Sequence, residues 1–337
     1  MYPQDHSSAP YPYLTEGGTA DFFAVPAARP RERYWLYGLL FLATFFTATI
    51  TGAAMQADFE RNAPFDLLSS FPLYSEVWRH PGLLVSGLPF SLTLLAILLA
   101  HEFGHYLAAL YHRVDASLPY FMPSPFIGTF GAFIRVRSPI YSKRALFDIG
   151  IAGPLAGFVF LLPALGVGLA LSKVVPNAAQ QGMIQFGVPP LQWLVQHAVF
   201  PGVRTVDLYL HPVARAAWVG MFATAMNLLP IGQLDGGHIL YAVLPGRHRM
   251  VSKLVCVLML FPMAVLVLRW MRLDLLPGQD VWAGWSLWGV LLLWLGRRHP
   301  LVHDPTLLGR GRMRLAWVAL AVFALCITLT PFIEGGL

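Results

Sequence analysis

The sequence predicts an all-α polytopic membrane protein with about six to seven transmembrane helices, and three observations support this fold class. The chain of 337 residues is 56% hydrophobic and only 12% charged, which is about half the charged fraction of a soluble domain. Its mean hydropathy is +0.59. Apolar runs of the length needed to cross a bilayer, about 17–25 residues, recur along the chain.

The predicted spans are Tyr34–Ala57, Leu83–Tyr111, Ala145–Val174, Val213–Leu229, Val251–Trp270 and Met313–Phe332, with a shorter, tryptophan-rich seventh run at Val281–Leu295. Between the second and third spans, the prolines and glycines of Leu118–Pro139 interrupt the helical pattern. Irregular backbone cannot face lipid, because its polar groups would lack hydrogen-bond partners. We therefore expect a re-entrant loop or a short β-hairpin packed against protein.

Lysine and arginine are distributed unevenly across this topology. If the N-terminus is cytoplasmic, most of the 23 basic residues fall on the cytoplasmic side, as the positive-inside rule requires. The net charge of +6 is thus explained by topology and by contact with the lipid bilayer, and no nucleic-acid partner is expected.

Two histidines and a glutamate lie inside the apolar run of the second span, in the sequence His101-Glu102-Phe103-Gly104-His105. Ionisable side chains in a membrane segment are costly and usually functional. Residues i and i+4 share one face of a helix, so His101 and His105 can hold one metal ion. Glu102 then lies beside the metal as a candidate general base, and the spacing predicts a catalytic zinc site.

A catalytic zinc ion usually has three protein ligands, so a further acid or imidazole is required. Asp235 is the strongest candidate, since Pro230 and neighbouring glycines interrupt the helix just before it. Asp235 is alternatively the cap of a helix that starts near His238. His238 itself is an alternative ligand, a residue that orients a ligand, or an ordinary polar residue at the interface.

Two other polar residues have two interpretations each. Asn227, within the fourth predicted span, either donates to a carbonyl oxygen in the transition state or forms an interhelical hydrogen bond. Asp148 either orients a ligating histidine or has a structural role, in which it caps its helix or pairs with Arg144. The small residues that follow predict a close helix-packing face; they are Ala152, Gly153, Ala156 and Gly157.

Taken together and in this order, the motifs resemble the site-2 protease family, the intramembrane zinc metallopeptidases of the M50 type. The resemblance covers Leu83–Leu244 and rests on His101–His105, Gly150–Gly157 and Asn227–Gly237. It implies one Zn²⁺ per chain, held by the two histidines and the aspartate, with the asparagine assisting. It also implies a transmembrane protein as substrate.

The stretch Gly220–Leu244 is most similar to the subgroup found in bacteria, archaea and plastids. Many bacterial relatives carry a PDZ domain between the core spans, and the loop Pro176–Pro212 is too short for one. The bacterial inner membrane is the favoured location, with a plastid membrane second. The distribution of basic residues predicts that the active site lies towards the cytoplasm.

Four regions follow from this interpretation: a disordered cytoplasmic tail (1–33), the first span with its external loop (34–82), the catalytic core (83–250) and the C-terminal spans (251–337). The expected activity is hydrolysis of peptide bonds in or near transmembrane segments, as in regulated intramembrane proteolysis. One strand edge, made by Phe130, Gly131, Phe133 and Ile134, is expected to hold the unwound substrate.

Two other functions remain as alternatives. A proteolytically silent zinc-binding scaffold or chaperone is one, although it has no reason to retain Glu102. A metal or ion transporter is the other, although the chain has no evident repeated halves.

Overall fold

The computed structural model describes residues 33–64, 66, 68–177, 184–273, 281–295, 302 and 304–334. The chain divides into two compact units, 1–36 and 37–337. In the first unit the described residues are 33–36, which include the start of the first helix. The disordered tail predicted for 1–33 therefore lies outside the described residues, except for its last position.

The described chain is mostly helical. The helices are α1 (Tyr34–Arg61), α2 (Leu73–Glu76), α3 (Leu83–Tyr111), α4 (Lys143–Ala170), α5 (Pro190–Val199), α6 (Pro212–Leu228), α7 (Asp235–Val243), α8 (His248–Leu258), α9 (Phe261–Trp270), α10 (Gly284–Leu295) and α11 (Arg310–Cys326). The strands are β1 (Tyr120–Ser124), β2 (Gly128–Phe133), β3 (Lys173–Val174), β4 (Ile184–Phe186), β5 (Leu208–Tyr209) and β6 (Phe332–Glu334). They form three antiparallel pairs, β1–β2, β3–β5 and β4–β6.

Four helical stretches among the described residues are long and apolar enough to span a membrane, and the protein is an integral membrane protein. They are α1, α3, α4 and the stretch His248–Trp270 formed by α8 and α9. The predicted spans at Val213–Leu229 and Met313–Phe332 correspond to α6 and α11, which have only 17 residues each. The tryptophan-rich run contains the 12-residue α10. The predicted count of six to seven spans is thus not established.

Helices α3, α4 and α6 form the centre of the second unit, around buried residues such as Phe147, Leu161 and Trp218. The backbones of α3 and α4 lie very close, since a Cβ at Gly104 would lie 2.5 Å from the Ala152 carbonyl oxygen. Small residues allow such approach, which maximises van der Waals contact between membrane helices. Ala152, Gly153, Ala156 and Gly157 all face α3, which confirms the predicted packing face.

The segment between α3 and α4 adopts the β-hairpin, one of the two predicted forms. Strands β1 and β2 pair from Tyr120 with Phe133 to Ser124 with Gly128, and an irregularity follows Met122. The Thr47 hydroxyl of α1 donates to the Gly128 carbonyl oxygen at 2.6 Å. On its other side, β2 has no strand partner among the described residues.

Candidate metal centre

Two helices bring three metal-binding side chains together. His101 and His105 lie one turn apart on α3, and Asp235 is the first residue of α7. The Asp235 Oδ2 atom lies 3.3 Å from His101 Nε2 and 3.2 Å from His105 Nε2. The two Nε2 atoms are 3.1 Å apart. Both histidines are buried, and the three residues offer ligand atoms that all lie within 4.8 Å of one another.

The His105 ring is oriented by α4. Its Nδ1 atom lies 2.7 Å from the carbonyl oxygen of Ile149. A proton on Nδ1 donates to this carbonyl and leaves the Nε2 lone pair directed at the cluster, the arrangement common to metal-ligating histidines. The ring occupies the space above Gly153, where any Cβ atom would overlap the imidazole. From the sequence, Gly153 was predicted only as a packing residue, and the Ile149 carbonyl carried no signal.

Asp235 reaches the histidines because the chain turns sharply after α6. Helix α6 ends at Leu228, just before Pro230, and α7 begins at Asp235. A Cβ at Gly236 would overlap the carbonyl of Leu228, and one at Gly237 would overlap that of Gly232. The two glycines therefore allow α7 to start against the end of α6. Leu234 is the cap residue of α7. Asp235 therefore lies within the helix and is not the cap of a helix that starts near His238.

The three side chains face a cavity of about 210 Å³ that Glu102 also lines. Glu102 is only 5% exposed, and its carboxylate interacts with the backbone amide of Ile134 at the end of the hairpin. Phe133 and Ile134 line the same cavity. The candidate base, the metal-binding cluster and the end of β2 thus line one cavity.

Asn227 and His238 also line this cavity. The Asn227 Nδ2 atom lies 3.2 Å from His101 Nε2, so the interhelical contact considered in the sequence analysis links α6 to α3. Among the described residues, the group whose ligand atoms lie close enough to hold one metal ion contains His101, His105 and Asp235, and His238 is not part of it. The structure therefore brings Asp235, and not His238, to the two histidines.

Asp148 does not orient a ligating histidine. Its carboxylate accepts hydrogen bonds from the Arg312 guanidinium at 2.8 and 2.7 Å, and lies 2.9 Å from His112 Nε2. Arg144, the partner considered from the sequence, donates instead to the Leu307 carbonyl. Asp148 thus ties α4 to α11 and to the end of α3. The orienting contact to His105 comes from the neighbouring Ile149 backbone.

The donor set fits zinc. Two imidazole nitrogens and one carboxylate oxygen are a ligand combination of catalytic zinc sites, where the fourth position is kept for water or substrate. The buried position, the hydrogen bond from His105 Nδ1 and the room left by Gly153 are the further features that such a site needs. The residues of this cavity therefore fit a single zinc ion.

Comparison with known proteins agrees with this geometry. The profile of peptidase family M50 matches residues 89–268, more than half of the chain. The chain belongs to peptidase family M50. This confirms the family that the motifs resemble, and it supports zinc as the cofactor of a membrane metallopeptidase.

Similar M50 relatives come from plants. The chain is 30% identical over 316 residues to a rice (Oryza sativa subsp. japonica) protein named "Probable zinc metalloprotease EGY1, chloroplastic", covering 89% of this chain and 50% of the relative. It is 31% identical over 257 residues to the Arabidopsis thaliana protein of the same name, covering 73% and 43%. The chain thus spans about half the length of these curated relatives. Their chloroplastic names conflict with the bacterial inner membrane favoured from the sequence, and nothing in them supports the predicted orientation.

Proposed function

We propose that this chain is an intramembrane zinc endopeptidase that cleaves membrane proteins in or near their transmembrane segments, within regulated intramembrane proteolysis. One observation carries the proposal. A cluster of two histidines and an aspartate shares a buried cavity with Glu102, and three of these four residues lie on one long apolar helix. The proposed catalytic core is 83–250.

In this proposal His101, His105 and Asp235 hold zinc. When bound, zinc acidifies a water molecule and polarises the scissile carbonyl as a Lewis acid. The Glu102 carboxylate accepts the proton of the attacking water and then delivers it to the leaving amine. The Asn227 amide donates a hydrogen bond to the carbonyl oxygen as negative charge develops on it. Burial of Glu102 keeps bulk water from competing for its proton.

The open edge of β2 is the proposed substrate-binding element. A helical peptide hides its carbonyls in hydrogen bonds, so a transmembrane substrate must unwind before cleavage. Addition of the unwound segment to a free strand edge replaces those hydrogen bonds. Three features support this role: β2 has one unpaired edge among the described residues, Phe130 is 63% exposed, and Phe133 and Ile134 line the metal cavity.

The strand hypothesis is tested with a pair of variants at one position. Phe133→Pro removes both the ring and the backbone N–H, whereas Phe133→Ala removes the ring and keeps the N–H. We expect Phe133→Pro to lose much more cleavage than Phe133→Ala, with zinc content equal in both. Equal activity in the two variants would show that the backbone of β2 does not bind substrate.

The central experiment combines metal analysis with a cleavage assay on detergent-purified protein. Wild type, Glu102→Gln and Asp235→Ala are assayed for bound zinc and for cleavage of a panel of single-span substrates. We expect one zinc per chain in wild type, zinc without turnover in Glu102→Gln, and loss of zinc in Asp235→Ala. Loss of the general base should reduce the rate by about 10²–10⁴-fold.

These measurements, together with metal flux into vesicles, distinguish the alternatives. Zinc binding with no cleavage by wild type across the panel would favour the silent scaffold. Metal flux into vesicles with no cleavage product would favour a transporter. Zinc retained by Asp235→Ala would remove Asp235 from the ligand set and return His238 to consideration.

A further inference from the structure

A second cavity system lies beside α7 and does not include the metal-binding cluster. It consists of two adjoining cavities of about 400 and 690 Å³ that share Val243, Met313 and Trp317. We call these two cavities the α7–α11 groove. The smaller cavity is apolar, with Ile239 and Leu240 on one wall and residues of α11 on the other. Its volume is within the range of small-molecule sites.

The larger cavity forms a basic mouth. It is lined by Lys143, Arg310 and Arg314. The Asp304 carboxylate accepts a hydrogen bond from the backbone N–H of Lys143. The nearby Arg312 forms an ion pair with Asp148. Within the described part of the chain, Arg310 and Arg314 form no ion pair. The mouth therefore places two arginines, for which the described residues provide no ion-pair partner, next to an apolar groove.

We propose that the α7–α11 groove binds an anionic phospholipid. The acyl chain lies in the apolar cavity, and Arg310 and Arg314 bind the phosphate of the headgroup. Arginine binds phosphate oxygens through paired N–H groups, and basic pockets beside membrane helices bind anionic headgroups. Trp317 is 68% exposed and lines both cavities. Tryptophan is enriched at membrane–water interfaces.

Helix α7 connects this groove to the metal centre. Asp235 and His238 line the metal cavity, whereas Gly236 and Ile239 line the groove. A lipid in the groove packs against the outer side of α7 and supports the position of the third metal-binding side chain. Lipid binding is therefore expected to stabilise the protein and to slow loss of zinc. Stabilisation is measured without substrate, so the test is independent of proteolysis.

The test follows thermal unfolding of detergent-purified protein while lipid is added in mixed micelles. The probes are phosphatidylglycerol, phosphatidylcholine with the same acyl chains, and inorganic phosphate. Arg310→Gln/Arg314→Gln removes the proposed phosphate site. The matched control, Arg113→Gln/Arg249→Gln, removes the same charge from two exposed arginines that do not line the groove.

We expect phosphatidylglycerol, but neither of the other probes, to raise the melting temperature in a saturable way. One cation near an anionic headgroup contributes about fivefold in affinity, so the double variant should bind about thirty-fold more weakly. The control should bind as wild type does. Ala316→Phe, which fills the apolar cavity and keeps every charge, should also abolish the effect.

Three results would overturn the proposal. Equal effects of phosphatidylglycerol and phosphatidylcholine on wild type would exclude recognition of charge, whatever the variants do. An equal effect of inorganic phosphate would show that the apolar cavity is not used. Protection by a single-span helical peptide, with none by phosphatidylglycerol, would assign the groove to a protein helix.

Discussion

Gly153 provides a direct test of how helix packing supports the metal centre. A methyl group at this position overlaps the His105 imidazole, and the ring cannot turn away without losing the 2.7 Å contact from Nδ1 to the Ile149 carbonyl. Retreat of α3 would also give up the close packing against α4 at Gly104, where a Cβ would lie 2.5 Å from the Ala152 carbonyl oxygen. Overpacking of this kind costs about 1–3 kcal/mol, and the lost hydrogen bond about 1 kcal/mol.

Gly153→Ala should therefore lower zinc affinity, and loss of an orienting contact predicts a reduction of about 10–100-fold. Gly166→Ala is the matched control, since it lies on the same helix and a Cβ there meets nothing within 4 Å. Both variants gain the same helix propensity, about 1 kcal/mol, so their difference isolates the contact with His105. Zinc affinity is measured by competition with a chelator on purified protein. Affinities that agree within twofold would refute the argument that Gly153 makes room for the ligand.

Two further outcomes concern the surroundings of the site. Asp148→Asn should destabilise the protein by about 1–3 kcal/mol through the weakened contact with Arg312, while zinc content stays at the wild-type level; a loss of zinc would restore Asp148 as a ligand-orienting residue. The backbone N–H groups of Thr306 and Lys143 lower the pKa of Asp304 to about 2. The pKa of Asp304 in the folded protein is thus lower than the unfolded value of about 4. The contact therefore stabilises the segment before α11 at pH values above about 4, and this stabilisation is lost as the pH falls from about 4 towards 2. The test is the rate of amide hydrogen exchange in this segment, corrected for its intrinsic pH dependence. As the pH falls from about 4 towards 2, the corrected rate should rise in wild type and should not rise in Asp304→Asn.

The sequence predicted the parts of the structure that depend on local spacing. The limits of α3 agree with the predicted span Leu83–Tyr111, because a long and mostly apolar run has a helix as its stable form in lipid. The separation of four residues places His101 and His105 on one face. The hairpin was one of two predicted forms, because proline and glycine excluded a helix between α3 and α4.

Other features depend on contacts that local spacing does not encode. Asp148 and Arg312 lie 164 positions apart in the chain, and no periodic pattern connects them. The Ile149 carbonyl is a backbone group that every residue possesses, so its role has no sequence signal. The span count stays a prediction, since α6 and α11 have only 17 residues each, and helix length depends on where tertiary contacts end a helix as well as on hydropathy.

The two halves of the metal centre differ in how firmly they are held. His101 and His105 belong to a helix of 29 residues that is fixed against α4 by close glycine contacts. Asp235 begins a helix of only nine residues, reached through the turn after Pro230 and bordered on its outer side by the α7–α11 groove. We therefore expect metal affinity to depend on the position of α7 as well as on the orientation of His105. If the proposed roles hold, contacts on the outer side of α7 act on Asp235 alone, because Glu102 and both histidines lie on α3.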